Sequence, residues 1–165
     1  MKFDELDRRM RRFEVSLDQF APEGGHIVAR LDGRGFTKLT KETLAFERPF
    51  DIRFHHAMVG VCEHLMGVGL RIVLCYTQSD EISLLLAGNE NAFNRKTRKL
   101  NSVLAGEASG VFSLALGNPA AFDCRICPLP SVGDAIDYFR WRAEDAARNA
   151  VSAYCYWMLR ERGAR

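Results

Sequence analysis

Apolar side chains at Phe3, Leu6, Met10, Phe13, Leu17 and Phe20 recur three and four positions apart. That period predicts an amphipathic helix over residues 3–20, broken by Gly24-Gly25. His26 to Leu31 (HIVARL) is a short, β-branched run and predicts a first strand, ending at Asp32-Gly33. A polar loop follows, with Arg48-Pro49 as a breaker. Asp51 is placed to cap a helix that carries Ile52, Met58, Val61, Cys62 and Leu65 and stops at Gly67. Leu70 to Tyr76 predicts a second strand, Thr77 to Glu81 a turn, and Ile82 to Ala87 a third strand. A long helix is expected from Ala92 to Leu116, ended by Gly117-Asn118-Pro119. A fourth strand is expected over residues 121–127, and a last helix from Gly133 to Arg160.

The core order is therefore β-α-β-β-α-β, with one helix before it and one after. This is the order of an α+β, ferredoxin-like fold, and right-handed crossovers favour the spatial strand order 4-1-3-2. In that order strands 1 and 2 point the same way. The end of strand 1 then lies at the same sheet edge as the hairpin joining strands 2 and 3. Asp32 sits at the first place; Asp80 and Glu81 sit at the second. Three carboxylates brought together repel one another unless a cation or a proton intervenes. Magnesium suits such a site, because it takes one or two carboxylates and completes its shell with water and substrate phosphates. Two such ions can clamp the attacking and leaving oxygens of a phosphoryl or nucleotidyl transfer.

The segment after Asp32 is Gly33-Arg34-Gly35-Phe36-Thr37-Lys38. Its glycines let backbone amides approach a phosphate, although the spacing matches neither the Walker A loop nor the Rossmann turn. Arg34, Lys38 and Arg48 are candidate triphosphate partners. Three further basic groups stand out: Arg8, Arg9, Arg11 and Arg12; Arg95, Lys96, Arg98 and Lys99; and Arg140, Arg142 and Arg148. They form candidate tracks for a phosphate backbone.

Composition narrows the classes. The chain has 165 residues, 47% of them hydrophobic and 27% charged, with a formal net charge of +2. That is enough apolar material for a core and too balanced a charge for a polycation. No run reaches the ~20 apolar residues of a membrane span. The opening Met1-Lys2-Phe3-Asp4-Glu5 turns acidic too early for a secretory leader. Together with five cysteines, an odd number, this points to reduced thiols and a cytoplasmic chain. Cys124 and Cys127 form a CxxC on a predicted strand, where positions three apart face opposite sides, so ordinary thiols are expected. The four histidines match no zinc or nucleophile motif and read as structural.

At this point a resemblance enters. Ala29 to Lys38 (ARLDGRGFTK) resembles the nucleotide-binding signature of the tRNA(His) guanylyltransferase family, and Tyr76 to Ser83 (YTQSDEIS) resembles its second signature. Asp137 to Arg142 (DYFRWR), with Asp145, Asn149 and Trp157, is similar to the third segment. The N-terminal FDELDRRMRRFE resembles the bacterial and archaeal "like" branch. The resemblance implies one polymerase-like palm domain over residues 1–165 that adds nucleotides to tRNA 5′ ends in the 3′-to-5′ direction, with GTP or ATP and tRNA as partners. It implies Asp32, Asp80 and the Gly33 carbonyl as metal ligands, with Glu81 an essential neighbour. Asp32 to Thr37, Ser79 and Asp80 are implied to hold the nucleotide. It also implies a homo-oligomer, dimer or tetramer. Eukaryotic members carry His-Ile-Asn-Asn where this chain has Ala147-Arg148-Asn149-Ala150, so repair of truncated tRNA 5′ ends is expected rather than strict tRNA(His) specificity. Members continue for several dozen residues past the equivalent of Trp157; this sequence ends at Arg165, and part of the tRNA grip is expected to be missing.

Two other readings use the same fold. A palm-domain nucleotide cyclase would also pair carboxylates at this edge. A non-catalytic RNA-binding module would need aromatics on a central strand, which Ile82-Ser83-Leu84-Leu85-Leu86 lacks.

Overall fold

A computed structural model describes residues 3–163. The elements are α1 (Phe3–Glu14), β1 (His26–Gly33), a short α2 (Phe36–Lys38), α3 (Ile52–Met66), β2 (Ile72–Gln78), β3 (Glu81–Leu86), α4 (Thr97–Leu116), β4 (Phe122–Leu129) and α5 (Val132–Glu161). The strands form one antiparallel sheet in the order β2-β3-β1-β4. This is the expected 4-1-3-2 order, and the ferredoxin-like α+β fold follows from it.

The two faces of the sheet differ. Strand alternation sends Ile27, Ala29 and Leu31 of β1 and Ile82, Leu84 and Leu86 of β3 to one face. There they meet Met58, Val61 and Leu65 of α3 and Leu100, Leu104 and Phe112 of α4, all buried in one cluster. Each of these side chains other than Ala29 is worth about 1.5–3 kcal/mol on burial, so this face carries the hydrophobic stabilisation. The opposite face presents Arg30, Asp32, Glu81, Ser83, Asp123 and Arg125, and α5 lies across part of it.

The cap on α3 is as expected: the Asp51 side chain accepts from the Arg53 amide at 2.8 Å. α5 begins on Ser131, whose hydroxyl accepts from the Asp134 amide at 3.1 Å. Several boundaries differ from the expectation. α1 ends at Glu14 rather than near Phe20, because Phe20 leaves the helix to form a β-bridge with Lys96. The polar loop after β1 contains α2 and a wider helical turn over Leu39–Thr43. The long helix starts at Thr97, not Ala92, because Phe93, Asn94 and Arg95 all have positive φ and cannot continue a right-handed helix.

The five thiols are free. Cys124 packs toward the apolar face, and burial pushes its thiol up to about 12. Cys127, an odd number of residues along, lies on the α5 face, so the CxxC forms no pair. No helix among the described residues is long and apolar enough to cross a membrane.

Candidate active site

The hairpin between β2 and β3 is as short as a hairpin can be: Gln78 pairs with Glu81, and only Ser79-Asp80 make the turn. Ser79 takes φ 48° to close it. The turn comes against the end of β1, where the Gly33 amide donates to the Asp80 carbonyl at 3.0 Å. Asp32 is the cross-strand partner of Glu81 on one side and of Asp123 on the other. The structure thus brings Asp32, Asp80 and Glu81 to one sheet edge. It adds Asp123, which sequence reasoning missed; the alternation of β4, with Asp123 two positions before Arg125, was the available signal.

Gly33 has no side chain because there is no room for one. A Cβ there would stand 2.6 Å from the Phe36 ring and 2.9 Å from the Asp80 Cβ. Gly35, at φ 71°, turns the chain into α2. Phe36 is the anchor of this loop: its buried ring packs on Phe54, Phe112 and Phe122. Phe36 and Thr37 open a helix, where amides lack an intrahelical acceptor. Arg34, Thr37 and Lys38 are exposed beside it.

Burial raises the Asp32 carboxyl above the ordinary carboxylate range, and the negative charges of Asp80, Glu81 and Asp123 add to the effect, with Arg30 opposing. Burial also raises Asp80, against the bonds it takes from its own amide and from the Ser79 hydroxyl at 3.0 Å. Two desolvated, mutually repelling carboxylates with hard oxygen atoms suit a divalent cation such as magnesium. Among the described residues no group of three or more His, Cys, Asp or Glu side chains is placed to hold a metal.

Glu81 is engaged elsewhere. Its Oε1 takes Arg30 Nη2, and its Oε2 takes Arg142 Nη2 at 2.7 Å and Gln78 Nε2 at 3.0 Å. Burial works against the charge on Arg30, but Glu81 outweighs it.

A cavity of about 1020 Å³ opens beside the hairpin. Phe36, Phe46, Arg48, Ser79, Asp80 and Trp157 are among its walls. Arg48 lies over the Trp157 ring, 4.7 Å from its centroid, so one candidate phosphate partner also ties the loop to α5.

Two candidate RNA contacts are corrected. Arg95 is 5% exposed and donates to the carbonyls of Ala21, Glu90, Pro22 and Gly25. Arg142 is 3% exposed and serves Glu81 and Asp145. Neither presents its guanidinium to a solvent-borne phosphate. Lys96 and Arg98 both pair with the one carboxylate of Asp18, at 2.7 and 2.5 Å, so two of the four cations of that patch are engaged. Lys99, Arg140 and Arg148 remain exposed, the last two each near a carboxylate, Asp137 and Asp145.

The family model described as tRNAHis guanylyltransferase (Thg1) matches residues 7–130. The tRNA(His) guanylyltransferase of Schizosaccharomyces pombe is 33% identical over 153 residues, covering 87% of this chain and 57% of that protein. The chain spans about half the length of the curated relatives it matches. A bacterial Thg1-like protein solved in complex with GTP superposes with a TM-score of 0.85 at 29% identity, covering 92% of this chain and 75% of that one. Another solved in complex with ATP gives 0.83 at 30% identity, covering 90% and 68%. The family pattern runs from α1 through β4 and takes in both acidic segments of the sheet edge; this chain belongs to the tRNAHis guanylyltransferase family.

Proposed function

We propose that this chain carries the nucleotidyl-transfer site of an enzyme that adds nucleotides to tRNA 5′ ends in the 3′-to-5′ direction. The observation that carries the reading is the meeting of Asp32 and Asp80 across the Gly33–Asp80 contact, beside a cavity large enough for a nucleotide. Solved relatives bound to GTP and to ATP support the ligand class.

Asp32, Asp80 and the Gly33 carbonyl are the residues that would hold magnesium, as two ions that clamp the attacking and leaving oxygens. When bound, the metal supplies positive charge at the phosphates and lowers the cost of the attacking oxygen. The backbone of residues 33–37 offers amides to a triphosphate, and Arg34, Lys38 and Arg48 offset its charge. The 3′-hydroxyl of the incoming nucleotide attacks the phosphorus of the activated 5′ end and displaces the activating nucleoside monophosphate, or pyrophosphate where the end is a triphosphate, so the site must accept phosphate-bearing groups from both substrates. Lys99, Arg140 and Arg148 lie on exposed surfaces for the tRNA backbone. A cytoplasmic setting suits free thiols. A dimer or tetramer suits α1, whose Phe3, Leu6, Met10 and Phe13 are all exposed.

The test is incubation with 5′-truncated, 5′-monophosphorylated tRNA, magnesium, ATP and radiolabelled GTP. Label at the 5′ end is expected. Label at the 3′ end, or release of a cyclic nucleotide, refutes the reading.

A further inference from the structure

α5 is 30 residues long, yet only Ala135 and Arg142 are buried along it. α3 and α4, half to two-thirds its length, bury four residues each, all apolar. Apart from half-buried aromatics such as Phe139, whose ring lies 6.5 Å from that of Tyr76, the hold of α5 on the sheet is polar. It rests on a cluster of charges: Arg30 from β1, Glu81 from β3, and Arg142 and Asp145 from α5. The side chains of Arg30 and Glu81 are 17% and 18% exposed and that of Arg142 is 3% exposed. Two guanidinium groups face two carboxylates, so the cluster is neutral only as a set. Removing one member leaves a buried charge unpaired. The neighbouring polar bond, Ser83 to Tyr138 at 3.4 Å, is long and weak by comparison.

Everything that α5 contributes to the cavity lies beyond this cluster. Ala146, Asn149, Ala150, Ala153 and Trp157 form its wall, and Trp157 is about 22 Å along the helix axis from Arg142. At the far end Tyr154 packs on Phe50, centroids 5.2 Å apart, and the half-buried Trp157 lies under Arg48. A helix pinned at one end and lightly held at the other sets the width of the groove between them.

We propose that Glu81 is a positioning residue, not a reacting carboxylate: held by Arg30 and Arg142, it fixes α5 over the sheet and so sets the α5 wall of the nucleotide cavity. Arg142 is its partner in that role. Three donors already occupy the Glu81 carboxylate, against one side-chain donor, Ser79, on Asp80. The functional part of this inference rests on the cavity being the nucleotide site.

The experiment compares Glu81→Gln, Arg142→Met, Arg142→Lys and the Glu81→Gln/Arg142→Met double variant. Three quantities are measured: amide exchange along α5 and α4, the GTP dissociation constant in magnesium buffer by calorimetry, and the kinetics of nucleotide addition. Each single loss should speed exchange over residues 146–157 by roughly tenfold or more, the range for a lost charged hydrogen bond. Exchange in α4 should stay unchanged, which a general loss of stability would not allow. GTP affinity and KM should weaken by a similar factor. For Arg142→Met, the kcat at saturating GTP and the magnesium requirement should hold. The double variant should be no worse than the worse single one, because both break one unit. Arg142→Lys should recover part of the effect, since a single nitrogen, Nη2, meets both Glu81 and Asp145.

Loss of kcat or a shifted magnesium requirement in Glu81→Gln, with Arg142→Met like wild type, makes Glu81 a reacting group and overturns the proposal. Unchanged exchange in α5 of Arg142→Met overturns it as well. If the wild-type protein neither binds GTP nor adds a nucleotide, the functional reading of the site fails, and α5 exchange alone still decides whether the charge cluster anchors the helix.

Discussion

Replacing Arg95 with methionine should destabilise the protein without touching its affinity for nucleic acid. The guanidinium donates four bonds: Nε to Ala21 at 3.2 Å, Nη1 to Glu90 at 3.1 Å, and Nη2 to Pro22 at 2.6 Å and Gly25 at 3.1 Å. Ala21 and Glu90 are themselves buried, so their carbonyls lose their partner without gaining water. Pro22 and Gly25 are more open and are resolvated at little cost. Two sealed bonds from a charged donor, at about 1.5–3 kcal/mol each, give about 3–6 kcal/mol. Relief from burying the charge offsets part of this, leaving a loss of about 3 kcal/mol. For a chain of this size that lowers Tm by roughly 6–12 °C. Thermal unfolding of the Met variant measures it, and Lys99→Ala is the contrast. The exposed Lys99 should leave Tm unchanged and reduce the salt dependence of RNA binding by about one phosphate contact. A Tm within about 2 °C of wild type for Arg95→Met, together with a flattened salt slope, refutes the argument and returns Arg95 to the RNA surface.

Asp32→Asn and Asp80→Asn should each raise Tm at neutral pH in metal-free buffer, because both carboxyls are held above their unfolded values. A raised carboxyl stabilises the fold below its unfolded value, near pH 4, and that contribution is lost as pH rises through the folded value, so the gain from Asn should vanish in acid; a gain that persists at pH 3 refutes the cause. Gly33→Ala should abolish nucleotide addition and lower Tm, since the new methyl meets Phe36 and Asp80 inside contact distance; a fully active variant removes the close approach from the account. Ser131→Ala should cost about 1 kcal/mol through loss of the α5 cap, read by urea unfolding at unchanged m-value.

Much of the fold could be read from the sequence because local signals agreed with the tertiary outcome. The β-branched run HIVARL, the Asp51 cap and a turn within Thr77 to Glu81 each point to one conformation, and the strand order then fixes where Asp32 meets Asp80; that the turn tightens to Ser79-Asp80 alone shows only in the pairing of Gln78 with Glu81. What failed was burial of charge. Arg95 and Arg142 carry the same composition signal as any surface arginine, and only the tertiary structure shows them covered. For Arg142 a weak signal existed: it follows Ala135 by seven positions and Tyr138 by four, on the inward stripe of α5. For Arg95 there was none, since nothing in Phe93-Asn94-Arg95 announces three positive φ values without a glycine. The apolar period of α1 ran past its end for a related reason, because Phe20 keeps the spacing but serves a β-bridge.

The alternation of β1 has a practical result for anyone preparing this protein. Leu31 is fully buried on one face, and its neighbour Asp32 stands on the other. A slip of the strand by a single residue would exchange the two, driving a carboxylate and Arg30 into the phenylalanine cluster and turning leucine outward. No half-competent form lies between these alignments. Titrating functional sites in a sample should therefore count correctly aligned sheets, and a low count should appear as aggregation or unfolding, not as a uniformly sluggish population.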